Sequence, residues 1–346
     1  MELIEVRPDE RFEVLPLAEW LRAELGIEGY PVVRQFAGGK ANLTYLLTMA
    51  DGSELVLRRP PLGPLAPGAH DMSREYGVLS RLYQVFDKAP RALAYCENPE
   101  VIGSTFFVME RKPGVVVRES VPEIFGAGAD PEANRALSAV VVDTLAELHD
   151  VSPESCGLGD LGRPAGFLGR QVEGWTARWE DAREEEAGVA AAVASWLEEN
   201  IPRSDDVTLL HNDWRLDNMA VSPQDPGVCV AVYDWDMATR GDPLADLGTL
   251  MASWYDPGEV PSSLNPMPTT ASGWIRRDEA VARYEGLTGR DVSAFPWYLV
   301  FGTWKMGVVL QQIFIRWRRG QTADDRFSVL GEGARHLFEL AASRQT

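Results

Sequence analysis

Cysteine and histidine are scarce in this chain. Of its 346 residues, 3 are Cys and 4 are His, and Cys96, Cys156 and Cys229 form no C-x-x-C pair. That scarcity excludes a disulfide framework and disfavours a zinc site. Basic residues are also in the minority, since 33 Lys and Arg stand against 52 Asp and Glu for a net charge of −19. Such a deficit disfavours nucleic acid and anionic membranes as partners, but it leaves room for one nucleotide in a local basic pocket.

Long apolar segments are lacking as well. Residues 1–15 are charged and contain no apolar core of the kind a signal peptide needs. The longest apolar stretch, residues 295–315, contains Lys305, Gln311 and Gln312, which favours a buried helix over a membrane span. No heptad pattern specifies an oligomer. We therefore expect a cytoplasmic protein whose oligomeric state the sequence leaves open.

The distribution of patterns along the chain predicts two lobes. In the first 110 residues we predict an early helix near residues 17–25, a later helix over 73–85, and strands over 32–37, 44–50, 53–58, 92–96 and 104–109. Beyond residue 111 helical patterns dominate, at 134–149, 167–183 and 188–200, with short strands over 207–210 and 228–233. We therefore predict an α+β protein, with a small antiparallel β N-lobe (1–110) and a larger, mainly helical C-lobe (111–346).

The most informative segment, residues 211–218, has the form H-x-D-x-x-x-x-N and follows an apolar strand. Asp234-Trp235-Asp236 comes sixteen residues after Asn218, at the end of the next strand. Phosphoryl transfer needs a carboxylate to accept the proton of the attacking hydroxyl, hard oxygen ligands for Mg²⁺ and a cation near the phosphate. Asp213 matches the first need, Asn218 and Asp234 the second, and Arg215 the third. A surface turn rich in Asp and Asn is the alternative, and the pairing of two motifs disfavours it.

This combination resembles the aminoglycoside phosphotransferase and choline kinase family, which has the protein-kinase-like two-lobe fold. Residues 241–247, Gly-Asp-Pro-Leu-Ala-Asp-Leu, are similar to the G-D-P-x-x-D-L motif of that family. The resemblance implies a kinase that uses ATP and Mg²⁺ to phosphorylate a hydroxyl of a small molecule. It also implies that Asp246 helps to hold the catalytic loop, and we place His211 and Asp236 in the same supporting group. A carboxylate in the first turn of a helix is the simpler interpretation of Asp246, and the two are compatible.

The N-lobe contains candidates for the nucleotide site that a kinase-like fold requires. Gly38, Gly39, Lys40 and Asn42 lie between two strands, where a phosphate-covering loop belongs, although a plain hairpin turn fits this sequence about as well. Arg58 stands where protein kinases have a lysine, and the candidate partner of Arg58 is Glu75 on the following helix.

Val56 and the Met109-Glu110 pair of the same lobe are predicted to contact adenine. The strand period of two places Val56 on the face of Arg58 and turns Arg59 away, so Val56 would touch adenine while Arg58 reaches phosphate. The Met109-Glu110 pair is predicted to form the hinge between the lobes, with its backbone against the adenine edge; the last strand of a sheet is the compatible structural interpretation.

A narrower resemblance concerns the acceptor. The runs 36–45 and 56–61 and the block Asp242–Leu247 resemble the phosphotransferase-like domains associated with acyl-CoA dehydrogenases, from about residue 30 to about residue 320. This implies a hydroxy acid or hydroxyacyl compound as the acceptor. Two alternatives stay open: an aminoglycoside or amino-alcohol kinase, and a non-catalytic nucleotide- or acyl-binding module, which the irregular glycine loop and Arg58 motivate.

Three residues with conspicuous side chains receive structural interpretations. Trp175 and Trp179 are four residues apart on a predicted helix, which favours the core over a substrate platform. His149 lies on an apolar helix and is predicted to be a half-buried histidine with a hydrogen-bond partner.

Overall fold

The chain folds into two compact units. The computed structural model describes residues 3–37, 42–63, 71–183, 188–259, 267–322 and 324–345. One unit comprises Met1–Val116 with Glu154–Gly159 and Val230–Ala238, and the other comprises Val117–Pro153, Asp160–Cys229 and Thr239–Thr346. The first unit is therefore assembled from three separate stretches of sequence.

Each predicted helix and strand has a counterpart among the described elements, which also include three short strands that are not predicted from the sequence. The strands are β1 (Leu3–Ile4), β2 (Val32–Phe36), β3 (Leu43–Thr48), β4 (Glu54–Arg59), β5 (Ala92–Cys96), β6 (Phe106–Glu110), β7 (Thr208–Leu210), β8 (Met219–Val221), β9 (Cys229–Val232) and β10 (Thr239–Gly241). The helices are α1 (Val14–Leu25), α2 (Met72–Leu82), α3 (Pro131–His149), α4 (Phe167–Ala182), α5 (Val189–Glu199), α6 (Pro243–Ala252), α7 (Arg277–Thr288), α8 (Phe295–Arg318) and α9 (Leu330–Ser343).

Strands β1 to β6 form one antiparallel sheet in the order β1-β2-β3-β4-β6-β5. An Asp51-Gly52 turn joins β3 to β4: Gly52 has φ +84°, and the Met49 N–H donates to the Ser53 carbonyl at 2.9 Å. A left-handed residue at a tight turn favours glycine because a Cβ would be strained there. The turn sets the register that pairs Thr44 with Arg58.

The two faces of this sheet have different contents because side chains alternate along each strand. One face buries Tyr45, Leu57 and Val108 against Leu17 and Leu21 of α1. The opposite face carries Val56, Arg58 and Phe107, and α2 packs on that side of β5 and β6. Alternation in β4 therefore directs Arg58 toward α2 and Arg59 toward the core.

Arg59 is buried in that core and is satisfied there by neutral groups. Its guanidinium donates to the Tyr45 hydroxyl at 2.7 Å, the Ile102 carbonyl at 3.1 Å and the Glu10 carbonyl at 2.5 Å. The Phe12 and Tyr45 rings each lie 5.2 Å from its Cζ atom. These hydrogen bonds and cation–π contacts offset the cost of removing the guanidinium from water.

Helix α8 is the central helix of the second unit. By length and composition it could cross a membrane, but 56% of its most apolar window is buried inside the fold. It packs against α4, α5, α6 and α9. The contact with α6 is so close that a Cβ at Gly302 would lie 2.5 Å from the Gly248 carbonyl oxygen.

From this close approach of α6 and α8 we predict that a larger residue at Gly302 lowers the stability of the protein. The free energy of unfolding of the Gly302→Ala variant is expected to be about 1–3 kcal/mol lower than that of the wild-type chain, because an inserted methyl must push two helix backbones apart. The matched control is Gly286→Ala in α7, where no described atom lies within 4 Å of the new Cβ. In that exposed helix the change should be neutral or stabilising by about 0.5–1 kcal/mol. Urea unfolding of both variants measures the difference, and equal midpoints would contradict the proposed clash.

Candidate active site

Residues 211–218 form a loop that follows β7, and a buried carboxylate holds the start of this loop in place. Asp246, in the first turn of α6, accepts the His211 N–H at 2.7 Å through Oδ2 and the Asn212 N–H at 2.9 Å through Oδ1. Asn212 has φ +65°. Non-glycine residues rarely occupy this left-handed region, and such strain persists where the surroundings impose it, often at functional sites.

Asn218 determines the position of Asp213 within this loop. A short 3₁₀ turn, Leu216–Asn218, brings the Asn218 side chain back so that its Nδ2 donates to the Asp213 carbonyl and to Asp213 Oδ2, both at 2.9 Å. Both partners are acceptors, so the amide must present its nitrogen to them. The Asn218 amide oxygen takes no part in these two bonds. The Asp213 side chain remains 38% exposed and can be reached by a substrate.

Two neighbours complete the surroundings of Asp213. Arg215 Nε lies 3.5 Å from Asp213 Oδ1, and its terminal nitrogen lies 3.1 Å from Asp217 Oδ2. His211 Nδ1 accepts the Asp213 N–H at 3.3 Å, which places the imidazole proton on Nε2 when the ring is neutral. The loop therefore holds one carboxylate and one guanidinium side by side.

Behind the loop, Asp246 is part of a buried polar network. His149 Nε2 lies 3.5 Å from Asp246 Oδ2, and His149 Nδ1 lies 2.7 Å from the Tyr284 hydroxyl. Burial opposes ionisation of Asp246, but the neighbouring His149 and His211 outweigh it and hold the pKa of that carboxyl below its ordinary value. Burial lowers the pKa of His149. His149 is fully buried, whereas the sequence predicts a half-buried residue. It does have a hydrogen-bond partner, as predicted, and that partner is the Tyr284 hydroxyl.

In the first unit, one buried guanidinium joins two carboxylates. Arg58 lies 3.2 Å from Glu75 Oε1 and 2.7 Å from Asp234 Oδ1. Glu75 also accepts the Trp235 N–H at 3.3 Å. Asp234 has φ +67° and comes two residues after the end of β9, as Asn212 comes two residues after the end of β7. The pairing of Arg58 with Glu75 is the one that the sequence predicts, and the structure adds Asp234 to it.

The carboxylates here outnumber the cations, and this alters their proton affinity. Burial raises the pKa of Glu75 to about 7; Arg58 opposes the rise, whereas Asp234 and Asp236 add to it. Burial opposes the charged form of Arg58, but Glu75 and Asp234 outweigh that effect and keep its pKa above the ordinary value. Arg58 therefore stays charged, and Asp236 contributes to the field around it.

The remaining predicted nucleotide residues fall at several places in the first unit. Val56 is buried in β4 and pairs with Met109 across the sheet. The Glu110 N–H already donates to the Arg91 carbonyl at 2.9 Å. Asn42 is buried directly before β3, whereas Gly38, Gly39 and Lys40 lie outside the described residues.

Sequence reasoning missed two contributors to the site. Tyr284 reaches His149 from α7, and Lys305 of α8 lies with its Nζ 3.4 Å from the Asn212 carbonyl oxygen. Both are far from residues 211–218 in sequence and belong to no motif. The only signal for Lys305 is a single charge in an apolar helical stretch. Trp175 and Trp179 are buried, as predicted, although Trp175 also contacts Lys305.

Comparison with known proteins identifies the family. The profile of the phosphotransferase enzyme family matches residues 32–287, and the chain belongs to this family. Acyl-CoA dehydrogenase family member 11 of Homo sapiens is 30% identical over 333 residues, which are 94% of this chain and 42% of that protein. The protein of the same name from Gallus gallus is 32% identical over 335 residues, 92% and 42% of the two chains. The chain thus spans less than half the length of the curated relatives it matches.

Solved structures confirm the predicted protein-kinase-like α+β fold. A Ralstonia eutropha JMP134 protein, provisionally described as an aminoglycoside phosphotransferase, aligns with a TM-score of 0.82 at 29% identity, over 96% of this chain and 98% of its own. Choline kinase from Cryptosporidium parvum Iowa II aligns with a TM-score of 0.63 at 13% identity, over 96% and 95%. A thermostable aminoglycoside phosphotransferase mutant, in complex with AMP-PNP and hygromycin B, aligns with a TM-score of 0.59 at 16% identity, over 95% of this chain and 98% of its own. Both resemblances predicted from the sequence are therefore confirmed.

Proposed function

We propose that this chain transfers the γ-phosphate of ATP, with Mg²⁺, to a hydroxyl of a small molecule. The observation that carries the proposal is the double hydrogen bond from Asn218 to Asp213, which orients an accessible carboxylate in a loop fastened by Asp246. Membership of the phosphotransferase enzyme family supports the same reaction class. We further propose that residues 1–110 bind the nucleotide and residues 111–346 bind the acceptor.

Asp213 is the proposed general base. In this reaction the acceptor O–H loses its proton to the Asp213 carboxylate while the new O–P bond forms and the bond to ADP breaks. Arg215, whose Nε lies 3.5 Å from Asp213 Oδ1, supplies positive charge for the transferred phosphate. The His211 ring supports Asp213, because its Nδ1 accepts the Asp213 backbone N–H.

The nucleotide side of the proposal rests on the first unit. Arg58, held by Glu75, is the proposed phosphate-binding cation in the place of the kinase lysine. Val56 would touch adenine, the backbone of Met109 and Glu110 would contact the adenine edge, and Gly38, Gly39, Lys40 and Asn42 would cover the phosphates. The Glu110 N–H already donates a hydrogen bond to the Arg91 carbonyl. We therefore propose that a different backbone group of the Met109-Glu110 pair contacts the adenine edge.

The donors for Mg²⁺ are few and of the right kind. Within the described part of the chain no three His, Cys, Asp or Glu residues are grouped to hold a metal. Mg²⁺ at phosphate sites needs only one or two protein carboxylates besides phosphate and water oxygens. The side chain of Asp234 is 30% exposed, and the Asn218 amide has its nitrogen engaged and its oxygen turned elsewhere. We propose these two residues as the ligands; a bound Mg²⁺ would neutralise phosphate charge.

For the acceptor we propose a hydroxy acid or hydroxyacyl compound, because the relatives that match along 94% of this chain are acyl-CoA dehydrogenase family members. An aminoglycoside or amino alcohol is the second candidate, which the names of the structural neighbours favour. A non-catalytic binding module is disfavoured, since it has no use for Asp213, Asn218 and Asp234 together. We also propose a cytoplasmic location.

Mg²⁺-dependent nucleotide binding is the first expected result. ATP is expected to raise the melting temperature only when Mg²⁺ is present, because Asp234 and the phosphates repel each other without a cation. At a ligand concentration one hundred times the Kd, binding to the folded state stabilises it by about 2.7 kcal/mol. Mg²⁺ alone and AMP with Mg²⁺ are the controls. The same shift with and without Mg²⁺, or no shift with any nucleotide, would rule out the proposed cofactor pair.

A coupled ADP-release assay then identifies the acceptor class. The screen covers hydroxy acids, hydroxyacyl thioesters, amino alcohols and aminoglycosides, and phosphorylated product is verified by mass. Nucleotide binding without transfer to any class would support the binding module instead.

A further inference from the structure

Lys305 places a cation at the back of the proposed catalytic loop. It lies near the middle of α8 and is partly buried. Its Nζ is 3.4 Å from the carbonyl oxygen of Asn212, the residue directly before Asp213. This is a long hydrogen bond to a neutral group, so the carbonyl balances little of the ammonium charge.

A counter-charge for Lys305 is missing from the part of the chain that the structure describes. No described carboxylate lies within 4.0 Å of its Nζ, whereas the partly buried Arg277 pairs with Glu259 at 2.5 Å and Arg344 with the same residue at 3.0 Å. Burial lowers the pKa of Lys305, while the fields of Asp213 and Asp246 oppose that effect. Buried charges are normally paired. The missing partner of Lys305 is therefore one that a ligand could supply.

A second cation lies on the same aromatic ring. The Trp175 ring centroid is 5.3 Å from Lys305 Nζ and 4.4 Å from Arg178 Cζ. Arg178 is exposed, and it makes no ion pair among the described residues. Two cations therefore share one buried indole, and neither has a carboxylate within 4.0 Å among the described residues, in a chain of net charge −19.

We propose that Lys305, with Arg178 and the Trp175 ring, binds a carboxylate or phosphate group of the acceptor, close to the hydroxyl that Asp213 deprotonates. Lys305 is in this sense a specificity-determining residue, and the inference rests on the proposed function of Asp213. An anionic acceptor completes the charge balance that the fold leaves open. A cationic aminoglycoside or amino alcohol would meet like charge at this position.

The test compares charged ligands with their uncharged counterparts in calorimetric titrations, in the presence of AMP-PNP and Mg²⁺. One arm uses short hydroxy acids that differ in the position of the hydroxyl, each against its primary amide. The other arm uses glycerol phosphate against glycerol, so the two arms separate a carboxylate from a phosphate. Binding is measured directly, so the result does not depend on turnover.

Three variants accompany the wild-type chain. Lys305→Met removes the charge and keeps the length of the side chain, and Lys305→Arg restores a cation. Arg316→Met, on the exposed end of the same helix, is the control for loss of one positive charge. Thermal melts with and without AMP-PNP show whether each variant is folded and binds nucleotide.

The wild-type chain should bind at least one anionic ligand about ten- to a hundredfold more tightly than its uncharged counterpart, the range expected for a hydrogen bond to a charged group. Lys305→Met should abolish this preference, Lys305→Arg should restore part of it, and Arg316→Met should keep it. Equal affinity for the charged and uncharged ligands, including no binding of either, overturns the inference. So does a Lys305→Met variant that keeps the preference, since Lys305 would then serve only to hold Asn212.

The proposed function and the inference fail in different ways. Preferential binding of an anion without ADP formation would contradict the phosphotransferase and leave the anion site standing. Rapid transfer to aminoglycosides or amino alcohols, with no preference for anions, would support the kinase and contradict the anion site.

Discussion

Replacing Asp213 with asparagine is expected to lower phosphoryl transfer by about 10²–10⁴-fold, the usual contribution of a positioned general base. The variant keeps the shape of the side chain, and its amide oxygen can still accept the hydrogen bond from Asn218 Nδ2 that now ends on Asp213 Oδ2. What it loses is the ability to take the proton of the acceptor hydroxyl. Turnover should therefore fall while the loop keeps its conformation.

The measurement pairs ADP release with nucleotide binding. Mg²⁺-dependent stabilisation by ATP should match that of the wild-type chain, because Asp213 is not among the proposed nucleotide or metal residues. The control Asp225→Asn removes a carboxylate from an exposed turn and should leave both quantities unchanged. Undiminished transfer by the Asp213→Asn variant would remove Asp213 from the role of base.

Asp246→Asn is expected to affect both stability and turnover. The wild-type carboxylate accepts two backbone N–H groups, from His211 at 2.7 Å and Asn212 at 2.9 Å. Asparagine offers one acceptor oxygen and turns an NH₂ group toward the other donor, which leaves a buried N–H without a partner. Disrupting a buried charged network of this kind costs about 3–5 kcal/mol. Release of the loop at Asn212 should also lower turnover by displacing Asp213.

The effect of Asp246→Asn should shrink in acid. The pKa of Asp246 is below its ordinary value of 3.8 in the folded chain. The ionised carboxylate therefore stabilises the fold above the unfolded-state pKa, and that stabilisation is lost as the pH falls through the folded-state pKa. The difference in unfolding free energy between wild type and variant should be largest near neutral pH and smallest in strong acid.

Urea unfolding at several pH values measures this difference. The matched control is Asp143→Asn, which removes an exposed carboxylate 2.7 Å from Arg283 and should cost only about 0.2–1 kcal/mol. A loss of stability for Asp246→Asn no larger than that of the control, or one that does not vary with pH, would contradict the fastening role of Asp246.

Local patterns account for what could be predicted from the sequence. The period of two in β4 separates Arg58 from Arg59 because successive side chains in a strand must face opposite sides. Each of the two acidic motifs follows a short apolar strand, because Asp213 and Asp234 come within three residues of the ends of β7 and β9. These features depend only on residues that are close together along the chain, so they can be predicted from a single sequence.

The partners of the site residues depend on the tertiary structure. Tyr284 meets His149 across 135 residues, and Lys305 meets Asn212 across 93. Nothing local to any of these residues specifies the meeting, because it follows from how α3, α7 and α8 pack around the loop. The addition of Asp234 to the predicted Arg58–Glu75 pair has the same origin, since that contact spans 176 residues.

Spacing and alternation along the chain predict the class of fold, the order of its elements and the residues that resemble a phosphotransferase site. Which charges are neutralised inside the protein depends instead on the tertiary structure. Arg58 has two carboxylates and Lys305 has none among the described residues, although each lies in or at the end of an apolar stretch of sequence. The physical reason is that the cost of burying a charge depends on what surrounds it in space, and residues distant along the chain supply those surroundings.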